Sequence, residues 1–246
     1  MPEDRYRWIT QTSSCLPPLA QVFFFPHGGG RAEEYLRLFG SDHQTSHALN
    51  LPGRAGLGPD YETFSELEND LRPPTQQTDL PTIFFGHSLG SLIAYEAACA
   101  WPKNSRSLLV VSGMPVPEQI RQDTNFTGLD DVEVIRRVAS MHGGIPQFVS
   151  ATPQDFGISA SALRADYGLL NSYQIRRRAR LPMDALALFG TTDMGTMSDG
   201  VHGWSEKVSG NFYALPFDGG HFFLRNYHRT IRRKLLMWAR SVQQPS

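Results

Sequence analysis

Thr82-Ile83-Phe84-Phe85-Gly86-His87-Ser88-Leu89-Gly90-Ser91 is the stretch that decides the fold of this chain. A short apolar run ends in Gly-x-Ser-x-Gly, and small residues of helical character continue from Ser91 to Ala100. Where a strand turns sharply into a helix, the apex residue is exposed and its near neighbours are crowded together. Glycine at 86 and 90 relieves that crowding. The Ser88 hydroxyl is then expected to stand above the end of a sheet as a nucleophile.

A serine hydroxyl is a weak nucleophile until a base takes its proton. In an α/β-hydrolase the acid and the histidine follow the serine in the order Ser, Asp/Glu, His, each just beyond a strand. Downstream, Asp184 to Phe189 reads as a buried strand followed by Gly190-Thr191-Thr192-Asp193. Asn211 to Leu215 reads as the next strand, followed by Pro216-Phe217-Asp218-Gly219-Gly220-His221. These positions make His221 the expected base and Asp193 its expected orienting acid, with Asp218 and Asp199 as competitors for the acid. Asp218 is better suited to shaping the turn that presents the histidine.

A tetrahedral oxyanion needs two backbone donors. The residue after the nucleophile, Leu89, supplies one. The Gly-rich loop Pro26-His27-Gly28-Gly29-Gly30, directly after an early strand, supplies the other. Gly28 is the expected donor and Gly29 the alternative. No Gly-Lys-Ser/Thr follows the loop, so a phosphate cradle is disfavoured. His27 and His87 flank these elements and are expected to be structural, and no cluster has metal-ligand spacing.

Near-continuous apolar runs predict strands at Gln21–Phe25, His47–Leu51, Thr82–Phe85, Leu108–Ser112, Ala185–Phe189 and Phe212–Leu215. Tyr6–Thr10 is a candidate early edge strand. Helices are expected near Ala32–Phe39, Phe64–Leu71, Ser91–Trp101 and Tyr227–Val242. That alternation is an α/β fold with a mostly parallel sheet flanked by helices. About seventy residues separate the strand ending at Ser112 from the one at Asp184, far more than a crossover needs. Within them Asp130 reads as the N-cap of a helix to about His142, and Ser159 as the cap of a second through Tyr173. Residues 115–180 are therefore expected to form a helical lid insertion within one domain, 1–246. A second structural subdomain without a gating role is the alternative.

The 246 residues carry a formal net charge of −1 and are 40% hydrophobic, which gives nucleic acid no basic footprint to bind. No apolar run has the length of a membrane span, and the charged N-terminus has no signal-peptide core. Two cysteines, Cys15 and Cys99, suggest a reducing compartment rather than a disulfide framework. The expectation is a cytoplasmic protein, acting as a monomer.

The chain resembles the type II thioesterases, the discrete editing hydrolases of polyketide and nonribosomal peptide synthases. The likeness rests on six blocks: Phe25 to Gly30, Leu51-Pro52-Gly53-Arg54, Phe85 to Gly90, Leu163-Arg164-Ala165-Asp166-Tyr167, Gly190 to Asp193, and Gly219-Gly220-His221-Phe222-Phe223-Leu224. It implies the roles already read for Ser88, Asp193 and His221. It also implies a substrate carried as a thioester on the phosphopantetheine arm of an acyl or peptidyl carrier protein, with no cofactor of the enzyme's own. Two departures stand out. Gly28 replaces the family's usual alanine, and Ala55-Gly56-Leu57-Gly58 lacks the second arginine usual after Pro-Gly-Arg. Because carrier proteins are acidic, Arg176-Arg177-Arg178 with Arg180, or the C-terminal run Arg229, Arg232, Arg233, Lys234 and Arg240, are candidate docking regions. The competing functions are an esterase or lipase for small esters and a catalytically silent carrier-binding module.

Overall fold

Strand alternation decides which layer each core residue joins. In β2 (Ala20–Phe25), Val22 and Phe24 pack on one face of the sheet while Phe23 and Phe25 pack on the other. In β4 (Thr82–His87), Phe84 and Ile83 with Phe85 divide in the same way. β5 (Ser107–Ser112) repeats the pattern, with Leu109 and Val111 opposite Leu108 and Val110. All three strands are buried throughout, as strands covered by helices on both faces must be. In this computed structural model, residues 5–14, 17–54, 57–74, 79–102, 106–122, 124–142, 159–193 and 198–243 are described, 198 and 199 by backbone alone.

The sheet has seven strands in the order β1-β3-β2-β4-β5-β6-β7. β1 (Arg7–Gln11) lies antiparallel to β3 (Gln44–Asn50), and every other pairing is parallel. β6 (Asp184–Gly190) and β7 (Phe212–Phe217) complete the far edge. One face is covered by α1 (Ala32–Phe39) and α7 (Leu224–Ser241). The other is covered by α2 (Phe64–Asp70) and α3 (Leu89–Ala100). This is the α/β-hydrolase architecture. Phe23, Phe24, Phe25, Phe84 and Phe85 are each at most 0% exposed. At about 1.5–3 kcal/mol for each such side chain, β2 and β4 anchor the loops at their C-terminal ends. Those two loops carry the Gly-rich turn and Ser88.

The expected elements are present, with shifted ends. β3 begins three residues earlier than its apolar run, at Gln44. Buried Gln44 can open the strand because its Nε2 donates to Phe39 O (3.1 Å) and Ser46 Oγ (2.9 Å). α3 starts directly after the apex serine rather than at Ser91. A five-residue helix, α6 (Ser198–His202), and a 3-10 turn at Gly203–Lys207 were not anticipated.

Within residues 115–180, a 3-10 turn at Pro117–Gln119 leads toward α4 (Asp131–Met141) and α5 (Ala160–Ser172). α4 opens on a complete capping box between Asp130 and Glu133, and Ser159 caps α5. The two helices pack together around a separate small core containing Phe126, Val134, Ile135, Val138, Leu163 and Tyr167. Arg164 binds it together, donating to Phe126 O, Leu129 O and Asp131. Gly143, the residue after the predicted end of the first of these helices, lies outside the described residues, as does Cys15. Cys99 is half-buried, and burial pushes its thiol up to about 12, so it is not a reactive thiolate.

Candidate active site

The backbone at Ser88 has φ 53 and ψ −128, and Ser88 is the one non-glycine among the described residues with positive φ. That conformation costs on the order of 1–3 kcal/mol and persists where the surroundings enforce it. Here they do. A Cβ on Gly86 would lie 2.1 Å from Gly90 O, and one on Gly90 would lie 1.9 Å from Phe25 O. Both glycines are therefore sterically required for β2, β4 and α3 to close on one another. Ser91, which the sequence did not single out, fastens the turn to β5. Its Oγ donates toward Gly86 O and Ser112 O (3.0 and 3.2 Å) and accepts from Ser112 N (3.1 Å).

Asp193 and His221 meet as expected. His221 Nδ1 and Asp193 Oδ2 are 2.8 Å apart, and both side chains are buried. The turn after β6 holds Asp193, whose amide donates to Gly190 O at 3.1 Å. The Gly219–Gly220 turn before α7 delivers His221, and Phe223 N donates to Gly220 O across it. The competitor Asp218 is exposed, and the side chain of Asp199 lies outside the described residues. Ser88 and His221 line the same cleft, but among the described residues no hydrogen bond yet joins the hydroxyl to the imidazole. Such contacts commonly tighten only when substrate is bound.

The structure separates the two oxyanion candidates. Gly29 N is committed, donating to Asp166 Oδ2 at 2.6 Å. The amides of Gly28 and Leu89 have no partner among the described residues, and both residues line the cleft. Leu89 opens α3, so its amide also carries the positive end of that helix dipole. A Cβ on Gly28 would meet Asp166 Cβ at 3.7 Å and Tyr167 Cε2 at 3.8 Å, ordinary contacts. The site has room for the alanine usual in the family.

Asp166 explains two of the sequence blocks at once. It sits on α5, buried, in an ion pair with the equally buried Arg54. Arg54 Nε donates in turn to Gly30 O (2.7 Å) and Nη1 to Pro52 O (3.0 Å). Burial pushes the Asp166 carboxyl up, against the pull of Arg54 and the Gly29 amide. The pair therefore clamps the Gly-rich loop to α5. Sequence reading missed the contact because its partners lie 112 residues apart.

His142 was also missed. It caps the C-terminal end of α4, and its ring stacks on His221 with centroids 3.9 Å apart and planes 23° apart. Its Nε2 lies 2.8 Å from Tyr167 Oη. Burial, then the neighbouring His221, lowers its pKa to about 3, so the stacked ring is neutral. Burial likewise holds His27 and His87 well below the usual histidine range. His27 bonds Tyr35 Oη and His87 bonds Ser112, so both are structural neighbours of the site. His142, Asp193 and His221 offer ligand atoms within 4.8 Å of one another. The imidazoles are nearly parallel, however, so their in-plane lone pairs run side by side and do not converge on one ion.

A Thioesterase domain model matches residues 20–235 of the sequence. The chain belongs to the thioesterase family. It is 28% identical over 237 residues to "Thioesterase PikA5" of Streptomyces venezuelae, covering 93% of this chain and 84% of that one. It is 25% identical over 228 residues to "Gramicidin S biosynthesis protein GrsT" of Aneurinibacillus migulanus, covering 89% and 88%. With the "Probable cadicidin biosynthesis thioesterase" of Streptomyces griseus it shares 27% identity over 242 residues, and the match spans 65% of that relative's length. Among solved structures, the type II thioesterase BorB of the borrelidin cluster superposes with a TM-score of 0.81 at 25% identity, covering 97% of this chain and 99% of that one.

The cleft of this thioesterase has a volume of about 710 Å³. The loops that carry Gly28, Ser88 and His221 form its floor, and Val138, Met141, Tyr167 and Leu170 of α4 and α5 form its apolar roof. The expected basic docking region is largely engaged elsewhere. Arg176 pairs with Glu68, Arg178 with Glu68 and Glu96, and Arg180 with the carbonyls of Val208 and Ser205. On α7, Arg232 donates to Gly40 O. No helix among the described residues is long and apolar enough to cross a membrane.

Proposed function

We propose that this thioesterase hydrolyses acyl thioesters from the phosphopantetheine arm of carrier proteins, removing or releasing chains in polyketide or nonribosomal peptide biosynthesis. The observation that carries the reading is the buried Asp193–His221 pair beside the apex Ser88, in a chain whose relatives serve such pathways. Ser88 Oγ attacks the thioester carbon while His221 Nε2 takes its proton. Asp193 fixes the tautomer and stabilises the imidazolium. The amides of Gly28 and Leu89 receive the oxyanion. Collapse breaks the C–S bond, and the imidazolium protonates the departing thiolate. Water, deprotonated by His221, then attacks the acyl carbon; the acyl–Oγ bond breaks, the imidazolium returns the proton to Ser88 Oγ, and the acid is freed. No metal or cofactor enters this sequence of steps.

The test compares one acyl group on a carrier protein, on coenzyme A and on a simple oxygen ester, with Ser88→Ala as the blank. Preference for the carrier-bound thioester is expected. Equal or faster turnover of the oxygen ester would replace this reading with a general esterase.

A further inference from the structure

We propose that Arg121 and Arg137 form an anion subsite at the rim of the catalytic cleft, which takes the phosphate of the substrate's phosphopantetheine arm. The inference rests on the thioesterase reading above and adds a substrate-recognition site to it. Two separate segments supply the residues. Arg121 follows the 3-10 turn at Pro117–Gln119, and Arg137 lies on α4. Both are exposed, and both line the cleft that contains Ser88 and His221. Neither guanidinium has a hydrogen bond or ion pair among the described residues.

The described carboxylates of the lid are all engaged with other groups. Glu118 pairs with Lys207, and Asp131 with Arg164. Asp130 and Glu133 close the capping box, and Asp166 is held by Arg54. Among the described residues the rim therefore presents two cationic forks with no acidic partner, beside the apolar Val138, Met141 and Leu170. An arm with one anionic end and a long neutral stretch leading to its thioester matches that distribution.

Position along α4 supports the same assignment. Arg137 precedes His142 by five residues, which at helical rise separates them by roughly 7.5 Å. The His142 ring lies on the catalytic imidazole. Along α4 the order is thus Arg137 in the middle of the helix, then Val138 and Met141, then His142 at the C-cap. A phosphate held at Arg137 is kept clear of the reacting carbonyl while its arm extends inward. Guanidinium forks suit phosphate because they present paired donors to its oxygens.

The test is the double variant Arg121→Gln/Arg137→Gln, assayed with one acyl group on four donors. These are pantetheine, phosphopantetheine, coenzyme A and a carrier protein. The expected result is a fall of about tenfold or more in the ratio of kcat/KM for acyl-phosphopantetheine over acyl-pantetheine. Acyl-coenzyme A and the acyl-carrier should shift with it, mainly through KM, and the wild-type preference should weaken as salt is raised. A loss equal on all four donors, or absent from all four, would overturn the subsite. A loss confined to the carrier would also overturn it and assign the arginines to the carrier's own surface. Wild-type inactivity on every donor would instead overturn the functional reading, and the subsite with it.

Discussion

The two walls of the cleft are built differently. The floor hangs from β2, β4, β6 and β7, between two layers of fully buried side chains. Its working parts are backbone turns, with no freedom to change residue type at Gly86 or Gly90. The roof is a pair of helices around a small core of its own. Among the described residues its contacts with the floor and main core include Asp166 with Arg54 and Gly29, His142 on His221, and Ser172 Oγ accepting from Phe64 N at 2.8 Å. Tyr173 Oη donates to buried Glu96 at 2.8 Å, and Leu169 and Tyr173 pack into the main core. The chemistry is thus fixed by the part of the protein that is hardest to deform. The surfaces that meet the acyl chain belong to the part that is easiest to vary.

That contrast can be broken most severely from the floor. Ser88→Ala should lower kcat by roughly 10⁵ to 10⁶-fold in single-turnover assays with a thioester, because the covalent route disappears. A tenth of wild-type activity remaining would mean that the apex serine is not the nucleophile. Next in size is the link between the walls. Asp166→Asn leaves the Arg54 charge buried without a carboxylate, at a cost of about 3 kcal/mol in denaturant unfolding. A loss below 1 kcal/mol would show that roof and floor are energetically independent.

A smaller effect comes from His142. Its pKa is lowered from 6.5 to about 3 in the folded chain, so its contribution is complete above pH 6.5 and declines as pH falls toward 3. Between those values the unfolded state binds the extra proton, and stability drops by at most about 1.4 kcal/mol per pH unit. His142→Gln should flatten part of the fall in Tm between pH 6.5 and 5. His27, His47 and His87 are shifted in the same direction and retain the rest. The smallest expected change is Gly28→Ala. It fits the available space, restricts the unfolded chain, and should raise stability by about 0.4–1 kcal/mol in the same unfolding assay.

The floor was legible in the sequence because its signals are local. Apolar runs mark the buried strands. The spacing of Gly86, Ser88 and Gly90 marks the turn, and Asp193 and His221 each follow a strand end. The capping residues Asp130 and Ser159 disclosed α4 and α5 for the same reason. What escaped was long-range. Nothing near Arg54 names Asp166, and nothing near Arg176 or Arg178 names Glu68 and Glu96, which take up charge first read as a docking surface. His142 carries no spacing signal, since its partner lies on the opposite wall. α6 and the turn after it are too short to show a period.

The clamp of Arg54 and Asp166 on the Gly-rich loop also sets the terms for re-engineering chain-length preference. Among the described residues, α4 meets His221 through the stacked ring of its C-cap His142, so it can be treated as an exchangeable cassette between relatives. α5 cannot be moved so freely. It must travel with Arg54 and with residues 26–30, because the Gly29 amide takes its acceptor from that helix. A chimera that grafts α5 without them would import a foreign roof and undo its own floor.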